Sequence, residues 1–190
     1  MQLIAGLILF LGIHSVSIVA PGGRDRLVER IGKLPWRGVY AVFALVGLVL
    51  IAHGYADVRN QTTFLYVLPR WINVVTMMLM LPVFPLLLST YLPGGISAKL
   101  RHPTLVAVKL WAFAHLLANG SVADVLLFGS VLAWAVADRI SLKRRPPRTV
   151  PAARPGPWND VIAVIGGLFI YSLMIQWGHA LLIGMPLVVR

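Results

Sequence analysis

Residues 3–20 read LIAGLILFLGIHSVSIVA, eighteen residues without a single Asp, Glu, Lys or Arg, closed by Pro21-Gly22-Gly23. A bilayer core asks for roughly 20 mainly apolar residues in one helix, with about 17–25 the usual range. The stretch is therefore read as a helix that crosses a membrane. No basic segment precedes it, and the positive cluster follows it. That order predicts an uncleaved helix with its N-terminus on the outer side.

Five further runs of the same character follow. With the first they place helices at about 3–20, 38–56, 72–92, 104–118, 122–138 and 158–185. The predicted fold is all-α, a single polytopic bundle of about six transmembrane helices spanning 1–190. Within the third run, Pro82 and Pro85 predict a kink, because each lacks the N–H that its turn would use. Asn119-Gly120 is a turn signal between the fourth and fifth runs. Residues 141–157 carry five prolines, four arginines and Lys143, and are expected to form a mobile loop.

Composition agrees. The chain is 58% hydrophobic and 12% charged, with a mean hydropathy of +0.83, whereas a soluble domain carries roughly 45–50% apolar and 25% charged residues. The net charge of +11 does not indicate nucleic acid, because the basic residues lie in the gaps between apolar runs. Loops one, three and five hold Arg24, Arg26, Arg30, Lys33 and Arg37, then Lys99 and Arg101, then Arg139, Lys143, Arg144, Arg145, Arg148 and Arg154. The other side holds Arg59, Arg70 and Arg190. The positive-inside rule then puts both termini, and the loops at Asn60 and Asn119, outside. The basic loops face anionic lipid on the inner side. With no cysteine, the chain has no disulfide, thiolate ligand or cysteine nucleophile.

The polar residues that carry information are five histidines. His14, His53, His115 and His179 lie within apolar runs, and His102 precedes the fourth. Ionisable groups inside a membrane face a protein interior, a cavity or a cofactor, and imidazole is a common axial ligand of haem iron. A lone histidine is read as an interhelical hydrogen bond, but four ask for more. His53 and His179, toward outer helix ends, are read as interfacial anchors. Pro103 suits the first turn of the fourth helix, which leaves His102 a positioning role. Lys109 lies about 8 Å into its helix, where it either snorkels to the interface or pairs with an anionic group. Asp138-Arg139 reads as an interfacial ion pair and Asp124 as a charge near a helix N-terminus. No carboxylate pair, phosphate-binding loop, dinucleotide fingerprint or hydrolase elbow is present.

Gly12-Ile13-His14-Ser15, Arg101-His102-Pro103, Lys109 to Gly120 (KLWAFAHLLANG) and Trp134-Ala135-Val136-Ala137-Asp138-Arg139 closely resemble the NnrU family. These are bacterial membrane proteins associated with denitrification, in nitrite and nitric oxide reduction. The resemblance implies an inner-membrane location, and a denitrification reductase or an electron-transfer protein as partner. NnrU proteins are in turn similar to the 15-cis-zeta-carotene isomerase, a membrane protein that binds haem b. The histidines that ligate its iron match His14 and His115. That similarity implies haem b between transmembrane helices, with Arg101 and Lys109 near its propionates, and a redox, haem-handling or isomerase-like role. The relative also carries a cysteine that exchanges with one histidine. The matching position is Ala112, so a ligand switch of that kind does not carry over. By residue count His14 and His115 differ in depth by about 7–8 Å, which a helix tilt of about 20° or a later start of the fourth helix would absorb.

Two other readings stand beside this one. The first is a non-catalytic membrane accessory that assembles or supplies a reductase. The second follows from Arg101-His102-Pro103, which resembles the opening of membrane methyltransferases that use S-adenosylmethionine. Those enzymes carry a later carboxylate motif, and the single glutamate here, Glu29, is misplaced for it.

Overall fold

The computed structural model describes residues 1–59, 61–145, 148 and 150–187. The expectations placed on Asn60, on Arg190 and on residues 146, 147 and 149 of the proline-rich loop lie outside them. Every regular element among the described residues is helical. One isolated antiparallel bridge, Phe64 with Ser121, is the exception to helix and coil. Four helical stretches are long and apolar enough to cross a membrane: Gln2–Val19, Lys33–Val58, Ile72–Tyr91 and Asn159–Ile183. Their outward side chains are large and apolar, with Ile8 70%, Phe169 63% and Leu181 83% exposed. Only lipid solvates such a surface at low cost.

The chain divides into two compact units, each assembled from separated segments. The first comprises Met1–Val67 and Asn119–Pro147. It opens with α1 (Gln2–Val19), α2 (Pro21–Ile31) and α3 (Lys33–Val58). Helix α2 occupies what the sequence suggests is an inner loop. Pro21 sits at its first position, where the missing N–H costs nothing, and Gly32 ends it at φ 91°. Leu27, Val28 and Ile31 share one side of this short basic helix, the pattern of an element lying in an interface.

Helices α1 and α3 pack along a seam of glycines. A Cβ on Gly6 would lie 2.6 Å from Ile51 N, and one on Gly47 would lie 2.8 Å from Phe10 N. A Cβ on Gly54 would strike Leu3 N. The two backbones touch, which is how helices in lipid gain dispersion energy without a hydrophobic drive. The second segment of this unit holds α8 (Val122–Asp124), a π-helical turn at Val125–Gly129 and α9 (Ser130–Ser141), which packs on α1. Asp124 starts it as part of a capping box, accepting from Ser121 N at 2.9 Å and Ser121 Oγ at 2.6 Å. The Tyr55 hydroxyl donates to its other oxygen at 2.5 Å.

The second unit comprises Leu68–Ala118 and Arg148–Arg190. Its helices are α4 (Ile72–Met80), α5 (Val83–Tyr91), α6 (Gly95–Leu100), α7 (Pro103–Ala118), α10 (Asn159–Leu173) and α11 (His179–Ile183), with a π turn at Met174–Gly178 before the last. The expected kink is a break at Leu81–Pro82, and Pro85 then falls in the first turn of α5, where its missing N–H is not needed. Gly167 of α10 lies against Pro85 so closely that a Cβ would overlap the ring nitrogen. Val83, Leu86 and Ala107 form the buried centre, with Leu110 and Trp111 packed on it. Helix α6 stands where the sequence suggests only a connection. Its first N–H groups, on Gly95 and Ile96, donate to the Asp160 carboxylate at 2.7 and 3.2 Å. Residues 150–157 have no regular structure, yet Ala153 N donates to Tyr91 O at 2.9 Å, and Asn159 Nδ2 holds both Pro93 O and Arg154 O.

The fourth and fifth expected spans differ from these four. Helix α7 has 16 residues, shorter than the four spans above. The stretch from Val122 to Ser141 is continuous helix but carries Asp124, Asp138 and Arg139.

Candidate functional site

His14 lies on α1 a little over three turns from its start and is half-buried. Its Nδ1 is 2.7 Å from Phe10 O, one turn back on the same helix. A carbonyl can only accept, so Nδ1 carries the proton and Nε2 carries the lone pair of the neutral ring. Three rings surround this imidazole: Phe10 at 4.2 Å between centroids, Tyr40 of α3 at 5.0 Å, and Trp134 of α9 at 5.6 Å and nearly perpendicular. The glycine seam lets α1 and α3 approach closely enough for Tyr40 to reach His14. Trp36 continues the row beyond Tyr40, and the Arg24 guanidinium lies over the Trp36 ring at 5.8 Å.

Trp134 Nε1 is buried with no hydrogen-bond partner among the described residues. A buried indole N–H normally finds an acceptor, so the cluster around His14 has a donor to spare. One turn on, Asp138 is buried and pairs with Arg145 Nη2 at 2.6 Å. This differs from the expected pair with Arg139. Adjacent helical residues point about 100° apart, whereas Arg145 comes back past the end of α9 onto the face that Asp138 occupies.

His115 belongs to the other unit, on α7. Its Nδ1 is 2.8 Å from Trp111 O, again one turn back, and the Trp111 ring lies 5.0 Å away. The same argument puts the proton on Nδ1 and the lone pair on Nε2. On either side Ala112 and Ala114 are fully buried. Ala112, where the isomerase carries its exchanging cysteine, is thus a close helix contact.

Lys109 is half-buried on α7, about 9 Å along the helix axis before His115. Arg101 is exposed in the turn from α6 to α7, with φ 62°, the one positive φ on a non-glycine among the described residues. A positive φ costs an arginine about 1 kcal/mol or more, and here it brings His102 and Pro103 to the start of α7. His53 is exposed on α3. His179 Nδ1 is 2.7 Å from Met185 O and so fastens the chain just beyond Gly184, the left-handed cap of α11.

Among the described residues, no three of His, Cys, Asp and Glu come together in a group able to hold a bare metal ion. Sequence reasoning singled out both histidines. It missed Tyr40, Phe10 and Arg145, whose relation to His14 and Asp138 depends on the seam and on the turn after α9. The spacing of Trp134 and Asp138, one turn apart, was the signal available for the rest.

The family described as NnrU protein matches residues 2–187, nearly the whole chain. No curated protein and no solved structure matches it.

Proposed function

The chain belongs to the NnrU family, and from that premise we propose that it is a bacterial inner-membrane protein of denitrification that holds haem b through His14 and His115. The observation that carries the reading is the matched state of the two imidazoles. Each donates Nδ1–H to the carbonyl one turn back, which fixes the ring and puts the lone pair on Nε2, the atom that would ligate iron. Metal-ligating histidines are held in this way by their other nitrogen. The rings of Phe10, Tyr40 and Trp134 pack around His14, and the Trp134 N–H offers a hydrogen bond to a bound group. Arg101 and Lys109 are the cations on the His115 side suited to propionates.

Haem b supplies a one-electron iron couple when bound. Buried apolar surroundings and neutral imidazole ligands tune such a couple, which fits a role in handling electrons or haem for nitrite and nitric oxide reduction.

In the same reading the chain crosses the membrane six times, with both termini periplasmic. Helix α7 spans only about 24 Å against a core of about 30 Å. The charges of the stretch from Val122 to Ser141 sit at its two ends, and Asp124 and Asp138 are both compensated. Reporter fusions at Asn119 and at the C-terminus test this, each expected to report from the periplasm. A cytoplasmic signal at either would require another path for the chain.

The direct test of the cofactor is the absorbance spectrum of full-length protein purified in detergent after haem-replete expression. A Soret band in proportion to protein is expected. Its absence would remove the haem and leave the accessory role.

A further inference from the structure

Below the His14 cluster, where α1 and α9 end, the first unit has an open groove of about 250 Å³. Ile18, Pro21 and Ile140 form its apolar wall, and Ser141, Arg144 and Arg145 its polar one. Arg145 is the residue that asks for an explanation. Its side chain is only 12% exposed, and Asp138 satisfies Nη2. Nη1 is buried with no acceptor among the described residues. A buried guanidinium N–H without an acceptor is among the costlier defects a protein carries, and it is removed by an anion oxygen.

Charge says which anion. Asp138 cancels Arg145, and Arg144 leaves the groove with one net positive charge. A phosphodiester, with a single negative charge, brings the groups to neutrality. Its two free oxygens can accept from Arg145 and Arg144 or Ser141 together, the fork geometry at which arginine excels. Position says which phosphodiester. The groove lies at the ends of two apolar helices, next in the chain to the basic stretches 24–37 and 139–145, where headgroups begin in the six-span reading. Ile18, Pro21 and Ile140 offer the glycerol and first acyl carbons an apolar bed. Basic recesses between membrane helices hold anionic headgroups in this manner.

We propose that this groove binds the phosphate of one anionic phospholipid from the inner leaflet, with Arg145 and Arg144 as its donors. The site does not depend on haem at His14, and its test does not read haem.

The experiment compares full-length protein in nanodiscs of pure phosphatidylcholine with nanodiscs containing phosphatidylglycerol, scoring lipid retained after mild delipidation by native mass spectrometry. The wild type is expected to keep one phosphatidylglycerol selectively. Arg144→Gln, which leaves the Asp138–Arg145 pair intact, should lower that retention about tenfold, the worth of one charged hydrogen bond. Arg145→Gln should abolish it. Because that change unpairs Asp138, the double variant Asp138→Asn with Arg145→Gln serves as its folded counterpart and should also lose the lipid. Equal retention by wild type and Arg144→Gln would overturn the proposal. So would retention that inorganic phosphate at millimolar concentration displaces, since the groove would then take free phosphate.

Discussion

His14 and His115 share one local device and differ in almost everything around it. Both rings give Nδ1–H to the carbonyl four residues back. His14, however, is enclosed by rings from three helices, α1, α3 and α9, and a spare indole N–H lies among them. The ring beside His115 is Trp111, from its own helix, flanked by alanines buried against neighbours. Rings from three helices line the first site, whereas at the second the ring contact comes from the same helix and Trp111 packs on the Val83 and Leu86 core of the second unit. The comparison teaches that the same imidazole geometry can sit in two different packing environments, and that the two should fail differently when the α1–α3 seam is disturbed.

The largest effect should come from the α1–α3 seam. Gly54→Leu places a side chain on the Leu3 backbone, and overpacking of this kind costs about 3 kcal/mol. Unfolding in detergent should show that loss, and the His14 cluster should be lost with it. Gly12→Leu, on the same helix as His14 but with nothing within 4 Å of its Cβ position, should change stability little. Equal losses for the two would mean that the seam does not hold the first site together.

Next come two carboxylates at helix starts, one in each unit. Asp124→Ala strips acceptors from Ser121 N, Ser121 Oγ and Tyr55 Oη, and should cost about 2 kcal/mol. Asp160→Ala, which uncaps only the first N–H groups of α6, should cost about 1 kcal/mol. The same unfolding measurement ranks them, and the reverse order would show the second unit to be the more dependent on its polar contacts. The smallest effect is expected of His53→Ala. The side chain is exposed, and the change should stay within about 0.5 kcal/mol while sparing any haem spectrum.

Much of this contrast was legible in the sequence, and the part that was not has a physical cause. Apolar runs of bilayer length identify α1, α3, the α4–α5 pair and the last helix, because lipid imposes a length that sequence must meet. The kink at Pro82 and the place of Asp124 near a helix N-terminus were equally plain, being local effects of a missing N–H and of a carboxylate at a helix start, although the capping box that Asp124 forms with Ser121 was not read. Helices α2 and α6 were missed, since 11 and 6 residues leave too short a pattern to separate from a loop. The histidines could be named from their apolar setting and from the family motifs. The rings around His14 could not, because Tyr40 arrives through glycines whose role is visible only when two backbones meet. The pairing of Asp138 with Arg145 rather than Arg139 likewise depends on where the chain turns after α9.

The measurement that tests the central claim most directly is the low-spin haem signal, in absorbance and electron paramagnetic resonance, of purified wild type beside single histidine variants. The account predicts a bis-imidazole low-spin signal in the wild type. It should disappear in both His14→Ala and His115→Ala, with each variant still inserted in the membrane, and persist in His53→Ala and His179→Ala. Retention of the signal in His14→Ala or His115→Ala, or its loss only in the variants at His53 and His179, would contradict it.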